Sequence, residues 1–457
     1  MRLYTIARIH RLAGLTLGGV LILLAVTGFL LDHDRFSFLW DIRLDNGWLP
    51  EAAADNSIRH VTAYKVEPEN PDRRYVGSRL GLFVSGDGGL HWEHALPLQV
   101  FMLEPDRAAA SDDYTTLYAA TNDGIHASTD HGHHWRRVAL AGQAVESMVV
   151  FDHMVYAIVD KRALYRIDPG SGKADSLALR APIRSTEVTL SRLIRDLHYG
   201  RGLFSGDSSL LINDWSAWVL AFLGLSGLWI YLRIRAIRRR RVGARRGLDE
   251  VRKLHSNSVV LLTFVPLLLL LVTGVFLDHA TALRGFMKHM RLSTEWLPPV
   301  YRSLETDLWG LDYDGETFRV GNRLGVFRTN NLKDWQLDSP GFAWKMRRID
   351  SVLYVAGMGA PNRKLEKHEW WKLAHTPHMP RDVYLENDRA VFLGRDRESA
   401  PPLPGFSRTP LYAVLLSLHD GSFFHEQWVW VNDAAAGGAI VLFITGFIKW
   451  RTKKRRY

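Results

Sequence analysis

Residues 10–34 read HRLAGLTLGGVLILLAVTGFLLDHD, and residues 255–280 read HSNSVVLLTFVPLLLLLVTGVFLDHA. The same sentence is written twice: a histidine, an apolar run, then TG and LDH. Within the copies, Leu12–Leu31 and Ser258–Leu277 are each 20 residues without a charge, the length of helix that crosses a bilayer. Two further apolar runs, Trp215–Leu232 and Val429–Ile448, also answer each other. Ile212-Asn213-Asp214 matches Val431-Asn432-Asp433, and Leu225-Ser226-Gly227 matches Ile444-Thr445-Gly446. Each of these is preceded by a Leu-His, at Leu197-His198 and Leu418-His419. The reading is four membrane helices in two copies of one plan.

Charge orients them. The chain of 457 residues carries a formal net charge of +10. The basic residues gather at Arg2, Arg8 and Arg11, in the stretch 233–253, and from Lys449 to Arg456. All three patches flank apolar runs, which places both termini and the middle loop in the cytoplasm and the long intervening segments outside. The run RIRAIRRRR directly follows a span, so it reads as an orientation signal and not as a nucleic-acid patch. The first apolar run is longer than a signal-peptide core and no A-x-A site closely follows it, so it reads as an anchored helix. There is no cysteine, which excludes disulfides, thiolate metal sites and covalent C-x-x-C-H haem attachment.

The external segments are turn-rich. GLFVSGDGGLHW (Gly81–Trp92) and GIHASTDHGHHW (Gly124–Trp135) share S-x-D-x-G-x-x-W, through Ser85, Asp87, Gly89 and Trp92 and then Ser128, Asp130, Gly132 and Trp135, 43 residues apart. That period fits a four-stranded propeller blade, and the motif resembles the Asp-box of sialidase-like propellers, where it is a structural hairpin turn. A worn copy ends at Trp335, after VGNRLGVF from Val320, which matches VGSRLGLF from Val76. The expected fold is therefore an internally duplicated four-helix transmembrane bundle with external all-β segments carrying Asp-box, propeller-like hairpins. Its divisions are helix 1 (1–33), a periplasmic β domain (34–210), helix 2 (211–235), a basic cytoplasmic loop (236–254), helix 3 (255–279), a second periplasmic β domain (280–425), and helix 4 with a basic tail (426–457). Three or four blades fit in each β segment, as two domains or as one pooled propeller.

HRLAG…TG in the first span and DLHYG (Asp196–Gly200) before the second resemble the PepSY-associated transmembrane family. The doubled form with large external insertions is similar to the FoxB-type inner-membrane ferrisiderophore reductases. That resemblance implies two b-type haems, held non-covalently by histidines, and delivery of electrons from the cytoplasmic side to a ferric chelate outside. The third span has Ser256 and Asn257 where the first has Arg11 and Leu12, so the two haem environments need not be equivalent.

Six duplicated histidines are the ligand candidates: His10, His33, His198, His255, His279 and His419. Neutral imidazole is the usual axial ligand of a b-type haem, and bundle ligands face inward from different helices. Boundary histidines also serve as interfacial anchors, but three pairs at matching offsets exceed what anchoring requires. His10 and His33 lie 23 residues apart, roughly 35 Å on a straight helix, so they cannot share a haem. His10 with His255 forms a candidate inner pair. In the outer set, His33 with His279, His198 with His419, and mixed pairs are all open.

Other features have plainer readings. Asn213-Asp214 and Asn432-Asp433 fit either a polar contact near the haem or helix N-caps. Trp215, Trp218, Trp428 and Trp430 fit an interfacial belt. His126, His131, His133 and His134 read as decoration of an Asp-box, and Trp370, Trp371, His375 and His378 as β core. No G-x-G-x-x-G or P-loop occurs, so the electron donor is a quinol, a flavin or another protein. The expected function is an inner-membrane oxidoreductase that reduces a ferric siderophore or other ferric chelate in the periplasm, with the bilayer as its other partner and no role for nucleic acid. A membrane-anchored propeller that binds or assembles without redox chemistry is the rival. A glycosidase is suggested by the Asp-boxes alone.

Overall fold

A computed structural model describes residues 3–54, 60–106, 116–177, 179, 187–204, 208–239, 246–257, 262–304, 307–394 and 400–454. The chain forms two compact units. One comprises 1–55, 189–292 and 407–457, and the other 56–188 and 293–406.

The first unit is helical. Among the described residues, three helices are long and apolar enough to cross a membrane: Tyr4–Asp32 within α1 (Leu3–Asp32), α3 (Ser208–Arg238), and Glu426–Thr452, which includes most of α7 (Val429–Lys454). Short helices α2 (Leu190–His198) and α6 (Leu411–Asp420) precede α3 and α7. Small residues let the helices approach closely. A side chain at Gly438 would collide with Leu17, and one at Gly224 with Ile22. Leu21 and Ala25 of α1, Leu220 and Ala221 of α3, Leu267, and Ala435 and Ala439 of α7 share one core. The strand Arg43–Asp45, which follows α1, pairs antiparallel with Arg408–Pro410, which leads into α6.

The third span differs from its expected form. Ser258–Leu261 lie outside the described residues. His255 does not begin that helix. It ends a separate basic helix, α4 (Arg246–His255), and the apolar helix α5 (Phe264–Asp278) has 15 residues. Leu262 is helical and Thr263 is a turn; Pro266 explains this break, because it has no N–H for the carbonyl of Leu262, whereas its place in the first turn of α5 needs none.

The second unit is β. Among the described residues it contains five four-stranded antiparallel sheets and the two-stranded sheet of Val383–Glu386 with Arg389–Phe392, each sheet built from consecutive strands. The first strands of the six sheets, Val61–Val66, Val100–Asp106, Val145–Phe151, Gly310–Tyr313, Ala343–Ile349 and Val383–Glu386, neighbour one another in that order, and the last returns to the first. This is a closed, six-bladed, propeller-like ring. Three blades come from each external segment, so 34–210 and 280–425 are not two domains. The flanks of both segments belong to the helical unit, and the rest pools into one ring because the third blade packs on the fourth and the first on the sixth. Four inner strands share a bulge near their start, between Val61 and Ala63, Val100 and Met102, Val145 and Ser147, and Ala343 and Lys345.

The Asp-boxes are hairpin turns of nearly identical build. The Ser85 and Ser128 hydroxyls donate to Asp87 and Asp130 (2.8 Å each) and accept the N–H of Gly89 and Gly132 (2.9 Å each). Both glycines have positive φ, which side chains disfavour. The Trp92 and Trp135 indoles donate to the Gly89 and Gly132 carbonyls.

A cavity of about 450 Å³ runs among the inner strands, lined by Tyr64, Glu104, Met148, Asp312, Arg347 and Tyr384. Arg347 is the hub of this region. Its Nε and Nη2 donate to the two carboxylate oxygens of Asp382 (3.0 Å each), and its Nη1 donates to the Leu103 carbonyl (2.8 Å) and to Glu104. Asp382 also accepts the Tyr64 N–H (3.0 Å). One buried guanidinium thus joins the fifth blade to the second and, through Asp382, to the sixth and first. Arg347→Met leaves Asp382 buried without its cation, so the β unit should lose about 3–5 kcal/mol, measured as a lowered midpoint of its denaturant transition. Burial holds the neighbouring Lys345 ammonium down at about 8, below the usual value of about 10.4. Between those values the unfolded chain binds the extra proton, so stability gains from Lys345 as pH rises from 8 to 10. Melts across that window should show the gain in the wild type and lose it in Lys345→Met.

Candidate functional site

Four of the six candidate histidines sit in seats of one design. His10 on α1 places Nδ1 2.8 Å from the Thr445 hydroxyl of α7, and His419 on α6 places Nδ1 2.8 Å from Thr27 of α1. His255 at the end of α4 faces Ser226 of α3 at 2.7 Å, and His198 at the end of α2 faces Thr273 of α5 at 3.1 Å. Every one of these contacts runs from one half of the duplicated sequence to the other.

The threonine hydroxyls decide the tautomer. Thr27, Thr273 and Thr445 donate at 2.7 Å to the carbonyls four residues back in their own helices, Leu23, Leu269 and Val441, and Ser226 donates to Leu223. A hydroxyl has one proton, so the three threonines accept at Nδ1; Ser226, 3.3 Å from the Leu223 carbonyl and 2.7 Å from His255 Nδ1, does not fix the tautomer of His255. The imidazoles of His10, His198 and His419 therefore carry Nδ1–H and present a lone pair at Nε2, the form in which histidine ligates a metal. The residue after each hydroxyl is glycine, and the reason is space. A Cβ at Gly28 would lie 3.2 Å from His419 Cε1, at Gly274 3.3 Å from His198 Cε1, at Gly227 3.4 Å from His255 Cε1, and at Gly446 3.6 Å from His10 Cε1.

The seats come in two levels. The His10 and His255 rings have centroids 6.4 Å apart with planes at 88°. Imidazole–metal bonds of about 2 Å on either side of one metal ion, with each nitrogen about 1 Å from its ring centre, give nearly that separation. The ring spacing thus fits a bis-histidine haem. His198 and His419 lie within electrostatic reach of each other. His10 and the seat of His419 at Thr27 are 17 residues apart on α1, roughly 25 Å. Asn213 and Asn432 hold the outer level by donating to the backbone carbonyls of His198 (2.8 Å) and His419 (3.2 Å). Neither Asn is an N-cap, because α3 begins at Ser208 and α7 at Val429.

His33 and His279 are placed otherwise. His33 Nδ1 donates to the Phe29 carbonyl (2.8 Å), and its Nε2 lies 3.5 Å from Asp214. His279 Nε2 meets Asp433 at 2.7 Å. These two answer to the aspartates of the duplicated Asn-Asp pairs and not to a hydroxyl seat. Trp215, Trp218 and Trp430 are more than half exposed, on helices long enough to span a membrane or, for Trp430, at the start of one.

In the β unit, the histidines around the second Asp-box diverge. His131 goes to Glu67 (2.9 Å) and His134 to Asp130 (2.5 Å), while His126 is buried beside Thr121 (3.5 Å). Trp370 packs under Arg363, and Trp371 is half exposed. No group of three or more His, Cys, Asp or Glu placed for a metal ion occurs among the described residues.

What reading the residues in order misses is the role of the hydroxyl–glycine dipeptides. The signal was present, since Thr27-Gly28 and Thr273-Gly274 close the duplicated opening stretch and Ser226-Gly227 aligns with Thr445-Gly446. Gly28→Val and Gly274→Val should each destabilise the helical unit by about 1–3 kcal/mol through overpacking against the imidazole. Gly18→Val, where a Cβ meets nothing within 4 Å, should not. Thermal midpoints in detergent would check this.

Known proteins of similar structure are distant. A GH74 xyloglucanase from Xanthomonas campestris is 18% identical over 29% of this chain and 24% of its own, with a TM-score of 0.23. YCF48 from Cyanidioschyzon merolae is 8% identical over 67% and 66%, with a TM-score of 0.32. A structural-genomics protein of unknown function from Bacteroides thetaiotaomicron is 8% identical over 71% and 64%, with a TM-score of 0.35. The chain thus spans from about a quarter to two thirds of the lengths of these proteins. No curated protein matches it. The sequence profile described as PepSY-associated TM region matches residues 7–453. The chain therefore belongs to the PepSY-associated TM family.

Proposed function

We propose that this chain is a di-haem oxidoreductase of the bacterial inner membrane that reduces a ferric siderophore, or another ferric chelate, in the periplasm. In this reading α5, with the residues before it, joins α1, α3 and α7 as the fourth helix of a transmembrane bundle. His10 and His255 would hold the inner b-type haem and His198 and His419 the outer one, both without a covalent link. The haems would supply reversible one-electron chemistry. The protein's own contribution is to fix four imidazoles by Nδ1, at two depths. The single observation that carries the reading is the fourfold seat, in which a hydroxyl meets Nδ1 and a glycine clears the ring. Buried histidines kept for packing alone have no need of one hydroxyl–glycine seat four times over.

Orientation follows from the basic residues Arg8, Arg11, Arg233, Arg235, Arg238, Lys449 and Arg451, which mark the cytoplasmic ends. His33 and His279, engaged with aspartates, are left out of the ligand set. The electron donor is a separate quinol, flavin or protein.

Purified protein in detergent should show reducible b-type absorption bands with two haems per chain. His10→Ala or His255→Ala should remove one haem, and His198→Ala or His419→Ala the other. Thr27→Val and Thr273→Val should weaken haem retention about 10–100-fold, while His279→Ala leaves both bands in place. A colourless, folded preparation from haem-replete cells would sink the proposal and leave the propeller as a binding or assembly platform.

A further inference from the structure

The helical unit makes one contact twice, and the two copies differ in chemistry. In the first copy the short helix Phe38–Asp41 packs on α6. Trp40 is buried there and stacks on Tyr412, with ring centroids 4.5 Å apart, in an apolar core with Leu39 and Leu415. In the second copy the short helix Arg284–His289 packs on α2, and the Leu190 N–H that opens α2 donates to the Met290 carbonyl (2.9 Å). Counted back from the repeated Trp-Leu-Pro, Lys288 stands where the first copy has Trp40, and Arg284 where it has Phe36. Counted back from the repeated Leu-His, Arg195 takes the place of Leu416.

Cations thus stand where the duplicate has apolar side chains. Arg195 and Lys288 are half-buried and lie within electrostatic reach of each other, with Arg284 also in reach of Lys288. Burial and then Arg192 hold the Arg195 guanidinium below its ordinary range, and burial, Arg284 and Arg195 do the same to the Lys288 ammonium. Asp196, the carboxylate next to Arg195 in the chain, is taken by Arg192. Among the described residues the side chains of Arg195, Lys288 and Arg284 make no ion pair and no hydrogen bond. Like charges gathered in a half-buried contact cost stability unless an anion joins them. Nor do these cations serve as an orientation signal, since in the reading above they lie on the outer side.

Their place in the fold points to the anion. Arg195 and His198 are three residues apart on α2 and so share a face. An anion held by Arg195 and Lys288 therefore sits beside the seat of His198, at the outer level. A guanidinium matches a carboxylate with two parallel hydrogen bonds, and an ammonium adds a point charge. Carboxylates are also hard oxygen donors for ferric iron, and a chelate built from them carries negative charge. We propose that Arg195 and Lys288, with the exposed Arg284, bind a carboxylate of the ferric chelate, so that anionic, carboxylate-bearing chelates are the substrate class. The inference rests on the reductase reading above, for which it supplies the docking site. Haem carboxylates and lipid phosphates share this anion chemistry, and the test separates them.

The test is a calorimetric titration of the full chain with gallium(III) citrate, an anionic carboxylate chelate inert to reduction, both in lipid nanodiscs and in a phosphate-free maltoside detergent. Saturable binding of one complex per chain is expected in both media, and none of a cationic gallium(III) hydroxamate chelate. Arg195→Gln and Lys288→Gln should each weaken it about tenfold, whereas Lys173→Gln, on the exposed surface of the β unit, should not. Both site variants relieve like-charge repulsion, so their thermal midpoints should not fall. Absence of saturable binding in both media, or unchanged affinity in both variants, would overturn the proposal. So would binding in detergent alone, which gives the site to a lipid phosphate, or loss of the outer haem from both variants, which gives it to the haem carboxylates. Absorption spectra of the same samples keep the two readings apart. A colourless wild type that binds saturably fails as a haem protein and retains the anion site. A wild type with both haems and no saturable binding retains its haem assignment and loses the site.

Discussion

The helical unit depends on four hydrogen bonds between an imidazole Nδ1 and a hydroxyl of the opposite half. A histidine inside an apolar helical assembly is costly unless its polar atoms are engaged. Bonding to a neighbour within its own half would satisfy that need and leave the halves independent. Here His10 answers to Thr445 and His419 to Thr27, so α1 is tied at two depths to elements of the second half. His255 to Ser226 and His198 to Thr273 are the reciprocal ties. Each threonine's own proton is spent on the carbonyl one turn back, and that internal bond gives the acceptor its direction.

The same reciprocity appears in the rest of the chain. Arg43–Asp45, leaving α1, pairs with Arg408–Pro410, entering α6. In the β unit the ring closes only where the third blade packs on the fourth and the sixth on the first, again between halves. Arg347 adds a polar counterpart, since this second-half guanidinium bonds the carbonyl of Leu103 and the carboxylate of Glu104 in the first half. A three-blade arc would expose two unpaired faces of buried Val, Leu and Tyr. Duplication thus yields one bundle-like unit and one ring, because neither half can bury its apolar surface alone.

Much of this was legible in the residues. Uncharged runs of membrane length, basic flanks and Asp-boxes 43 residues apart each report a local cause, and local causes survive in sequence. The Asp-box needs only Ser, Asp, Gly and Trp at fixed offsets, and its bonds form within eight residues. Less local features were harder to read. The break at Thr263 before α5 turns on Pro266, one residue inside a run that hydropathy alone treats as continuous. Among the described residues the sixth blade has two strands where the period suggests four. His33 and His279 repeat at matching offsets as faithfully as the other four histidines, so duplication by itself could not separate them.

By itself, the sequence determined the number and order of apolar runs, their orientation signal, the absence of any thiolate or covalent haem link, and the internal two-fold plan. These follow from composition and from interactions between near neighbours. The tertiary structure decided which histidine meets which hydroxyl, that His10 faces His255, that His33 turns to Asp214, and that two β segments share one ring. Each of these depends on the rotation of one element against another far away in the chain. No spacing along the sequence fixes that rotation, whereas the packing of Gly28, Gly227, Gly274 and Gly446 against four imidazoles does.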